Sequence, residues 1–526
     1  MALSTHDPVA GAIVADPIAD HGGAPRLPSS PQTRFNGGVG LRLASAAGRW
    51  ALAATVLGTS VAFLDATVVN IALPAIGRDL SSSLEGLQWI ITGYTLSLAG
   101  LILLGGALGD RYGRRRVFLV GVVWFAIASV LCAVAPTIGF LVIARILQGI
   151  GGALLTPGSL ALIQASFEPS DRAKAVGAWS GLAGVASAAG PFLGGWLIEG
   201  PGWRWVFLIN LPLAAVVIAI TLRHVPESRN EAATGRFDVA GGILAAASLA
   251  GITYALIAAP ESPSRAVTVG LVGVGLAIAF VAVERRRSNP MLPLSVFSSR
   301  QFTAINVVTL VVYAALGGMF FFLTLQLQIV TGFSPVAAGT ALLPVTILML
   351  VLSARAGAVA QRIGPRWPMV VGTAVAAVGV LMLSRIGPSS QYLTDVLPGA
   401  FLFGLGISAV VAPLTATVLA SADIQLAGVA SGVNNAVART AQLLAVAGLP
   451  VAVGLSGGDY RDPTIFDSGF TIAMYVCTGL LLAGSALSLV FVSDAALAEK
   501  PAGPAVLRPQ RVVHCALDGT PLESHR

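Results

Sequence analysis

Two charged side chains fall well inside apolar stretches of the sequence, where ionised groups are rare. Asp65 is one of 24 acidic residues and Arg145 one of 31 lysines and arginines, and no other member of either set is placed so deep. Charges at membrane depth are costly and usually functional. Burial favours the neutral carboxylic acid, and a nearby guanidinium favours the carboxylate. An Asp65–Arg145 pair could therefore take up a proton and release it; the alternative is a static ion pair that only fixes helix packing.

The composition excludes a soluble protein. A soluble chain needs roughly a quarter of its residues charged, whereas these 526 residues are 10 % charged and 55 % hydrophobic, with a mean hydropathy of +0.83. The net charge of +7 comes from arginines spread over many loops, so we expect no nucleic-acid partner. All five histidines lie outside the apolar stretches, which excludes a histidine proton relay. The chain is predicted to be an all-α polytopic membrane protein.

Fourteen apolar stretches are long enough to cross the hydrocarbon core, which takes about 17–25 residues. On this assignment Asp65 lies about 4–5 Å and Arg145 about 7 Å to the outer side of mid-membrane, at 1.5 Å per residue. The two charges are therefore predicted to share one cavity. The predicted spans are 50–74, 88–109, 117–135, 138–163, 174–198, 204–222, 239–259, 266–283, 303–329, 336–354, 368–386, 396–420, 436–456 and 469–492.

The distribution of positive charge sets the orientation. With both termini cytoplasmic, 25 of the 31 Lys and Arg residues lie on the cytoplasmic side and five on the other, as the positive-inside rule requires. Residues 1–49 contain no apolar signal-peptide core. We therefore expect a disordered cytoplasmic tail there, followed by a first span that serves as an uncleaved targeting signal. Residues 493–526 are predicted to form a second cytoplasmic tail.

An internal repeat divides the chain into two halves. GALGDRYGRR, from Gly106 to Arg115, follows the second span, and GAVAQRIGPR, from Gly357 to Arg366, follows the tenth at a constant offset of 251 residues. Paired halves around a central site are a common transporter plan. The predicted organisation is a six-helix bundle over 50–222, two inserted helices with their loops over 223–302, and a second six-helix bundle over 303–492.

Five segments carry a family resemblance over residues 50–492. They are LDATVVNIALP from Leu64, GALGDRYGRR, LVIARILQGIGGA from Leu141, ASAAGPFLGG from Ala186 and WRWVFLINLP from Trp203. In this order they resemble the major facilitator superfamily, and within it the fourteen-span drug:proton antiporters of EmrB/QacA type. The resemblance implies the major facilitator fold, a proton-coupling role for Asp65 and proton transfer by Arg145.

The resemblance also marks two structural motifs. The cytoplasmic gating motif comprises Gly106, Asp110, Arg111, Gly113 and Arg114, whose glycines allow a tight turn and close helix approach; a purely positive-inside anchor is the alternative. The antiporter motif of span 5 comprises Gly190, Pro191, Gly194 and Gly195, which serve either close packing or the prevention of leak. This chain departs from the family at Ala186, Ala441 and Ala445, where glycine is usual.

Polar residues in other spans are candidates for a substrate cavity. Tyr94, Gln148 and Gln328 are the candidates, whereas Asn210 is predicted to be structural. Spans 9–14 contain no buried acid, and some relatives that export divalent cations carry one in span 10. We therefore expect lipophilic substrates that are neutral or singly positive.

The activity predicted on these grounds is proton-coupled export of lipophilic compounds by alternating access, or multidrug efflux. No phosphate-binding GxxxxGK[ST] sequence occurs, so ATP is not expected to drive it, and neither a cofactor nor a metal is expected. The expected partners are the substrate, protons and the lipid bilayer, with the protein acting as a monomer. Of the 31 basic residues 29 are arginine, which suggests a bacterial plasma membrane. The alternatives are a dedicated exporter of one endogenous metabolite and a transport-inactive membrane sensor.

Overall fold

Helices make up nearly all of the computed structural model, which describes residues 41–229, 238–287, 290, 292–421 and 427–494. Within these ranges one isolated bridge, between Leu41 and Phe167, is the extended structure present. The predicted tails lie mostly outside the described residues. The sixteen α-helices of the described ranges are α1 (Ala46–Asp79), α2 (Leu84–Tyr112), α3 (Arg114–Ala133), α4 (Ile138–Ser166), α5 (Pro169–Glu199), α6 (Trp205–Leu208), α7 (Asn210–His224), α8 (Val239–Ala258), α9 (Pro263–Arg286), α10 (Arg300–Leu325), α11 (Pro335–Ala341), α12 (Leu343–Ile363), α13 (Arg366–Leu383), α14 (Leu397–Ala420), α15 (Ala427–Ala452) and α16 (Pro463–Phe491).

Short polar side chains fix several helix starts. Ser45, Ser83, Thr137 and Asp462 precede α1, α2, α4 and α16, and each accepts a hydrogen bond from a backbone N–H of the first turn. Such caps satisfy amide groups that have no partner within the helix. The apolar runs therefore begin as helices at positions that the sequence encodes locally.

Twelve helical segments of the described residues are long and apolar enough to cross a membrane. Three of them are longer than a single α-helix: Trp205–His224 joins α6 to α7, Pro335–Ile363 joins α11 to α12, and Tyr392–Ala420 adds a short helical segment before α14. A fourth extends α10 to Val330. α5 and α15 are 31 and 26 residues long but are not among the twelve. The prediction of an all-helical membrane protein is confirmed, while the count of fourteen crossings stays a prediction.

The two halves repeat one packing pattern. In the first half α2 and α3 pack on α4, while α1 packs on α5 and α7. In the second half α12 and α13 pack on α14, while α10 packs on α15 and α16. α8 and α9 pack against each other, and α8 also contacts α2 and α15. The inserted pair therefore touches both halves.

The repeated loop motif has the same geometry in both halves. Gly113 and Gly364, which correspond in the repeat, have φ values of 111° and 88°, where residues with a side chain are strained. A Cβ at Gly113 would meet the carboxylate of Glu227, and one at Gly364 would meet that of Asp494. Glu227 accepts from the backbone amide of Arg115 at 3.1 Å. Asp494 does the same for Arg366 at 3.2 Å.

Some boundaries differ from the predicted ones. Residues 41–49, the end of the segment predicted to be disordered, are ordered: the Leu41 amide donates to the Ser166 carbonyl at 2.7 Å, and α1 begins at Ala46. The thirteenth span, predicted over 436–456, is α15 over Ala427–Ala452. Its start was predicted too late because Asn434 and Asn435 lower the local hydropathy. Arg439, counted among the cytoplasmic charges, therefore lies in the middle of this helix.

Hydrogen bonds that join the two halves in the described residues cluster at one end, where α1 ends and α2 begins. Gln88 donates to the Val446 carbonyl at 2.8 Å, and Gln328 donates to the Ile71 carbonyl at 3.0 Å. At the same end Arg461 donates to the Ser82 carbonyl at 2.7 Å, and Glu199 accepts from the Val336 amide at 2.9 Å. The halves are thus fastened at the end away from the gating motif.

Candidate functional site

Asp65 lies near the middle of α1 and is completely buried. The surrounding side chains come from three other helices of the same half: Ser129 from α3, Arg145 and Gln148 from α4, and Asn210 from α7. All four are also buried. Arg145 and Gln148 are three residues apart and therefore point from the same face of α4. The two charges singled out in the sequence do meet in one site.

The Asp65 carboxylate accepts from three side chains. Oδ2 accepts from Nη1 of Arg145, with which it forms an ion pair. Oδ1 accepts from Nε2 of Gln148 at 2.8 Å and from Nδ2 of Asn210 at 3.0 Å. Ser129 connects the two amides, since its Oγ accepts from Gln148 at 2.9 Å and from Asn210 at 3.3 Å. We name these five residues the Asp65 cluster.

Arg145 is held on its other sides as well. Its Nε donates to the carbonyl of Ile90 on α2 at 3.1 Å. Its Cζ lies 4.3 Å from the centre of the Tyr94 ring and 5.8 Å from that of Phe207, distances at which an aromatic face attracts a cation. The guanidinium therefore links α1, α2, α4 and the end of α6 through one charged group.

The Asp65 carboxylate is surrounded by hydrogen-bond donors. Every polar contact that reaches the carboxylate is a donor, and an uncharged acid has to donate its own proton to an acceptor. Asn210 Oδ1 is buried without a hydrogen-bond partner in the described structure. Rotation of this amide would present that acceptor to a protonated Asp65. A proton on Asp65 would therefore require a rearrangement of the hydrogen bonds that hold α1, α4 and α7 together.

The gating motif lies at the other end of the first half, around the turn between α2 and α3. Asp110 accepts from Arg114 Nε at 2.8 Å, and these residues form an ion pair one helical turn apart. The Arg111 guanidinium lies 5.9 Å from the Tyr112 ring. Close helix approach occurs at Gly105, where a Cβ would overlap the Ala153 carbonyl, and not at Gly106, where the nearest atom would be 3.7 Å away on Pro157. This corrects the close approach predicted at Gly106.

The antiporter motif packs α5 against both halves. A Cβ at Gly190 or Gly194 would collide with Thr67 or Val68 of α1. A Cβ at Gly195 would lie 2.6 Å from the Pro335 carbonyl and from the Cα of Val336. The contact is mutual, because a Cβ at Gly339 of α11 would collide with the carbonyl of Pro191.

The predicted cavity residues occupy three different settings. Gln148 belongs to the Asp65 cluster, Tyr94 lies between that cluster and α15, and Gln328 bridges to α1 at the fastened end. Ala441 and Ala445 line an apolar hollow of about 300 Å³ between α10, α15 and α16. At these two positions, where the family usually has glycine, α15 therefore faces a hollow and makes no tight contact with another helix.

Three residues of importance were missed or misassigned from the sequence. Asn210, predicted to be structural, bonds directly to Asp65; an amide within an apolar span is a signal that could have found it. Ser129 gives no such signal, because serine is common in membrane helices and bonds to its own backbone. Arg439 was hidden by the late start assigned to its helix. Among the described residues no group of three His, Cys, Asp or Glu side chains could hold a metal ion.

Comparisons with known proteins were made for sequence and structure. A family model described as Major Facilitator Superfamily matches residues 55–446. Multidrug resistance protein Stp of Mycobacterium tuberculosis is 38 % identical over 390 residues, covering 73 % of this chain and 72 % of that protein. The puromycin resistance protein of Streptomyces alboniger is 36 % identical over 477 residues, which cover 88 % of this chain and 95 % of that protein. The tetracenomycin C resistance and export protein of Streptomyces glaucescens is 37 % identical over 413 residues, covering 78 % and 76 %.

Solved structures share the fold at low sequence identity. The crystal structure of a D-xylose-proton symporter has a TM-score of 0.61 and 15 % identity, covering 85 % of this chain and 98 % of that one. A bacterial homologue of the human drug peptide transporters has a TM-score of 0.59 and 14 % identity, and the match covers 84 % of this chain and 97 % of that one. At such identities the likeness establishes the arrangement of helices alone.

Proposed function

Since the chain belongs to the Major Facilitator Superfamily, we propose that it is an antiporter in which proton binding at Asp65 drives the export of lipophilic compounds. The protein is a multi-pass membrane transporter for the efflux of drugs or antibiotics, and not an enzyme. What is proposed beyond this is the coupling ion, the residues that carry it, the orientation and the charge of the substrate.

One observation carries the assignment of the coupling residue: a fully buried carboxylate receives three donors from two other helices. Loss of its charge on protonation removes the ion pair with Arg145 and weakens the carboxyl group as an acceptor for the two amides. Helix packing then depends on whether a proton is bound, which is the requirement for coupling a proton to a conformational change. Substrate that displaces the proton completes the exchange.

The fastened end supports alternating access. We propose fourteen crossings with both termini in the cytoplasm of a bacterium, in agreement with the charge distribution. In that orientation the hydrogen bonds between the halves close the extracellular side, and the gating motif lies on the cytoplasmic side. Breaking the contacts of Gln88, Gln328 and Arg461 would open the path outward.

The Asp65 cluster is complete within one chain, so the transporter is proposed to act as a monomer.

The charge of the substrate follows from the buried acids. Asp65 is already paired, and the described helices of the second half hold no acid away from their ends. A bivalent cation would therefore find no second carboxylate. This supports one part of the sequence-based expectation of neutral or monocationic lipophiles, namely that bivalent cations are excluded.

Proton flux in everted vesicles tests the proposal. Addition of puromycin or tetracenomycin C, taken from the names of the relatives, is expected to release protons from vesicles of the wild type. Asp65→Asn should abolish this release, because an amide cannot exchange a proton, while Asp65→Glu should retain part of it. The control is Glu261→Gln, an exposed acid between α8 and α9. Unchanged release in Asp65→Asn would reject Asp65 as the carrier.

A dedicated exporter of one natural product is the second candidate. Two relatives support it by name, the tetracenomycin C export protein and a probable actinorhodin transporter of Streptomyces coelicolor. The same vesicle assay with a panel of unrelated lipophiles separates the two activities, because a dedicated exporter responds to one compound class. Any substrate-dependent flux excludes a transport-inactive sensor.

A further inference from the structure

Arg439 is a second arginine at mid-membrane depth that the proposed coupling mechanism does not use. It lies twelve residues after the start of α15, which runs from Ala427 to Ala452. At 1.5 Å per residue this is about 18 Å from either end, so the side chain cannot reach the membrane surface at either end of the helix. The residue is partly buried.

The guanidinium of Arg439 has no counter-charge within the described residues. It takes part in no ion pair there, and its Nε is buried without a hydrogen-bond partner. The acid nearest to mid-membrane in these ranges, Asp65, is already occupied by Arg145 and two amides. Since an unpaired charge at this depth is costly, a charge retained here calls for a ligand.

The position of Arg439 on its helix faces the boundary between the two halves. Gly432 and Val446 lie seven residues before and after it, and residues seven apart share one face of a helix. Both contact α2: a Cβ at Gly432 would meet Leu103, and the Val446 carbonyl accepts from Gln88. Arg439 therefore points between α15 and α2, in the region where a major facilitator transporter binds its cargo.

Two tyrosines accompany the guanidinium. Tyr313 of α10 lies between Thr309, which accepts from Asn434 of α15 at 2.8 Å, and Gly317, where a Cβ would meet Gln442 of α15. It therefore lies along the segment of α15 that carries Arg439. Tyr94 of α2 places its ring against Arg145, and its hydroxyl already donates to the Ala62 carbonyl at 3.5 Å, so it offers the site an apolar ring. One cation, the phenol hydroxyl of Tyr313 and the ring of Tyr94 form a setting for an acidic oxygen on an aromatic or aliphatic body.

We propose that Arg439 and Tyr313 bind an anionic oxygen of the exported compound, such as a carboxylate or an acidic phenolate, beside the ring of Tyr94. This inference rests on the proposed export function and names its substrate class as lipophilic acids. It departs from the monocationic substrates expected from the sequence, because a cation placed here would meet an unpaired like charge. Neutral compounds are bound more weakly than acids of the same shape.

Equilibrium binding of a charge series tests this. The probes are 1-pyrenebutyrate, its methyl ester and a pyrenylbutyl-trimethylammonium salt, which share one lipophilic body. Affinity for the full-length protein in nanodiscs is measured at pH 7 by energy transfer from tryptophan to pyrene, with empty nanodiscs subtracted. The wild type is expected to bind the acid at least about tenfold more tightly than the ester, a factor equivalent to about 1.4 kcal/mol, and the cation most weakly.

Variants test whether Arg439 is the source of the preference for the acid over the ester. Arg439→Gln should reduce the affinity for the acid to that for the ester without changing the latter, and Arg439→Lys should retain part of the preference. The matched control is Arg355→Gln, an exposed arginine of the same half. Equal affinities for acid and ester in the wild type, or a preference that survives in Arg439→Gln, would overturn the proposal; the wild-type series decides this even where a variant fails to fold.

Failure of this inference is separable from failure of proton coupling. Binding in nanodiscs needs no proton gradient, so Asp65→Asn is expected to keep the preference for the acid. If Asp65→Asn leaves proton release intact while the acid preference is present, the coupling assignment is wrong and the anion site stands. If coupling is lost as expected but acid and ester bind alike, the anion site is wrong and the antiporter assignment stands.

Discussion

The carboxylate of Asp65 is held by donors on α4 and α7, while Asp65 itself belongs to α1. Any displacement of one of these helices against the others changes the number of hydrogen bonds that the carboxylate receives. Bonds to a charged group contribute roughly 1.5–3 kcal/mol each. A shift of one helix is therefore sufficient to weaken the binding of the carboxylate by an amount of this order.

Removal of one donor is expected to weaken coupling. In Asn210→Ala the carboxylate loses a 3.0 Å hydrogen bond, which is its side-chain contact with α7. Proton exchange at Asp65 is then no longer linked to the position of that helix, so substrate-induced proton release from everted vesicles should fall severalfold. The control is Asn435→Ala, an exposed asparagine of α15. Release at the wild-type rate in Asn210→Ala contradicts the assigned role of Asn210.

The charged pair of the site could be predicted from the sequence, whereas its polar partners could not. Asp65 and Arg145 stand out because ionised residues are rare in apolar runs. Ser129 and Asn210 depend on how α3 and α7 rotate toward α1, and rotation is set by packing between distant segments. Arg439 was missed for a different reason: hydropathy averages over a window, and two asparagines moved the predicted helix start beyond its true position.

At the scale of helices, Gly195 fastens α5 to the start of α11. The absence of a side chain lets the Pro335 carbonyl approach closely. Gly195→Leu is expected to separate these helices and open the end at which the halves are joined. In a background without the native cysteines, Ile71→Cys reports this, because Ile71 is only 2 % exposed. Labelling of intact cells by a membrane-impermeant maleimide should become severalfold faster.

Gly139→Leu is the matched control for that experiment. Gly139 lies at the start of α4, at the same end of the bundle, and a Cβ there would meet nothing within 4 Å. It should leave the labelling rate of the Ile71→Cys reporter unchanged. Equal rates in the two leucine variants would show that the contact of Gly195 does not hold this end closed.

Two of the glycines with positive φ, Gly113 and Gly364 of the repeated motif, are expected to be sensitive to alanine. Gly113→Ala and Gly364→Ala force a side chain into a backbone region that costs on the order of 1–3 kcal/mol and crowd Glu227 or Asp494. Thermal unfolding of the purified protein should occur at a lower temperature in both variants. Gly177→Ala, where a Cβ would meet nothing within 4 Å, should unfold like the wild type. A loss in one variant only would contradict the equivalence of the two turns.

Most helices were predictable because an apolar run of sufficient length has few other structures open to it in a membrane. The contacts between helices were not equally predictable. Gly105 and Gly106 are adjacent and chemically identical, and only the rotation of α2 against α4 decides that Gly105 takes the close approach. Sequence therefore predicts the helices and the repeat, while the faces that meet require the structure.

For the molecule as a whole, the proposed topology is testable through a native cysteine. Cys515 lies in the carboxyl-terminal tail, whereas Cys132 and Cys477 are free and buried. With both termini cytoplasmic, Cys515 should resist an impermeant maleimide in intact cells and react in everted vesicles. Glu261→Cys, between α8 and α9, should show the opposite pattern. Reaction of Cys515 from outside intact cells would refute an even number of crossings with an internal amino terminus.

The equivalent carboxylates of Glu227 and Asp494 have a consequence for biosynthesis. Glu227 follows α7, the last helix of the first half, and closes the turn before α3. Asp494 follows α16, the last helix of the second half, and closes the turn before α13. The first bundle can thus be sealed as soon as the ribosome has released residue 227, before any of the second bundle is translated. Nascent chains stalled far enough beyond Glu227 for this residue to have left the ribosome should already resist protease, and chains in which it is still inside the ribosome should not.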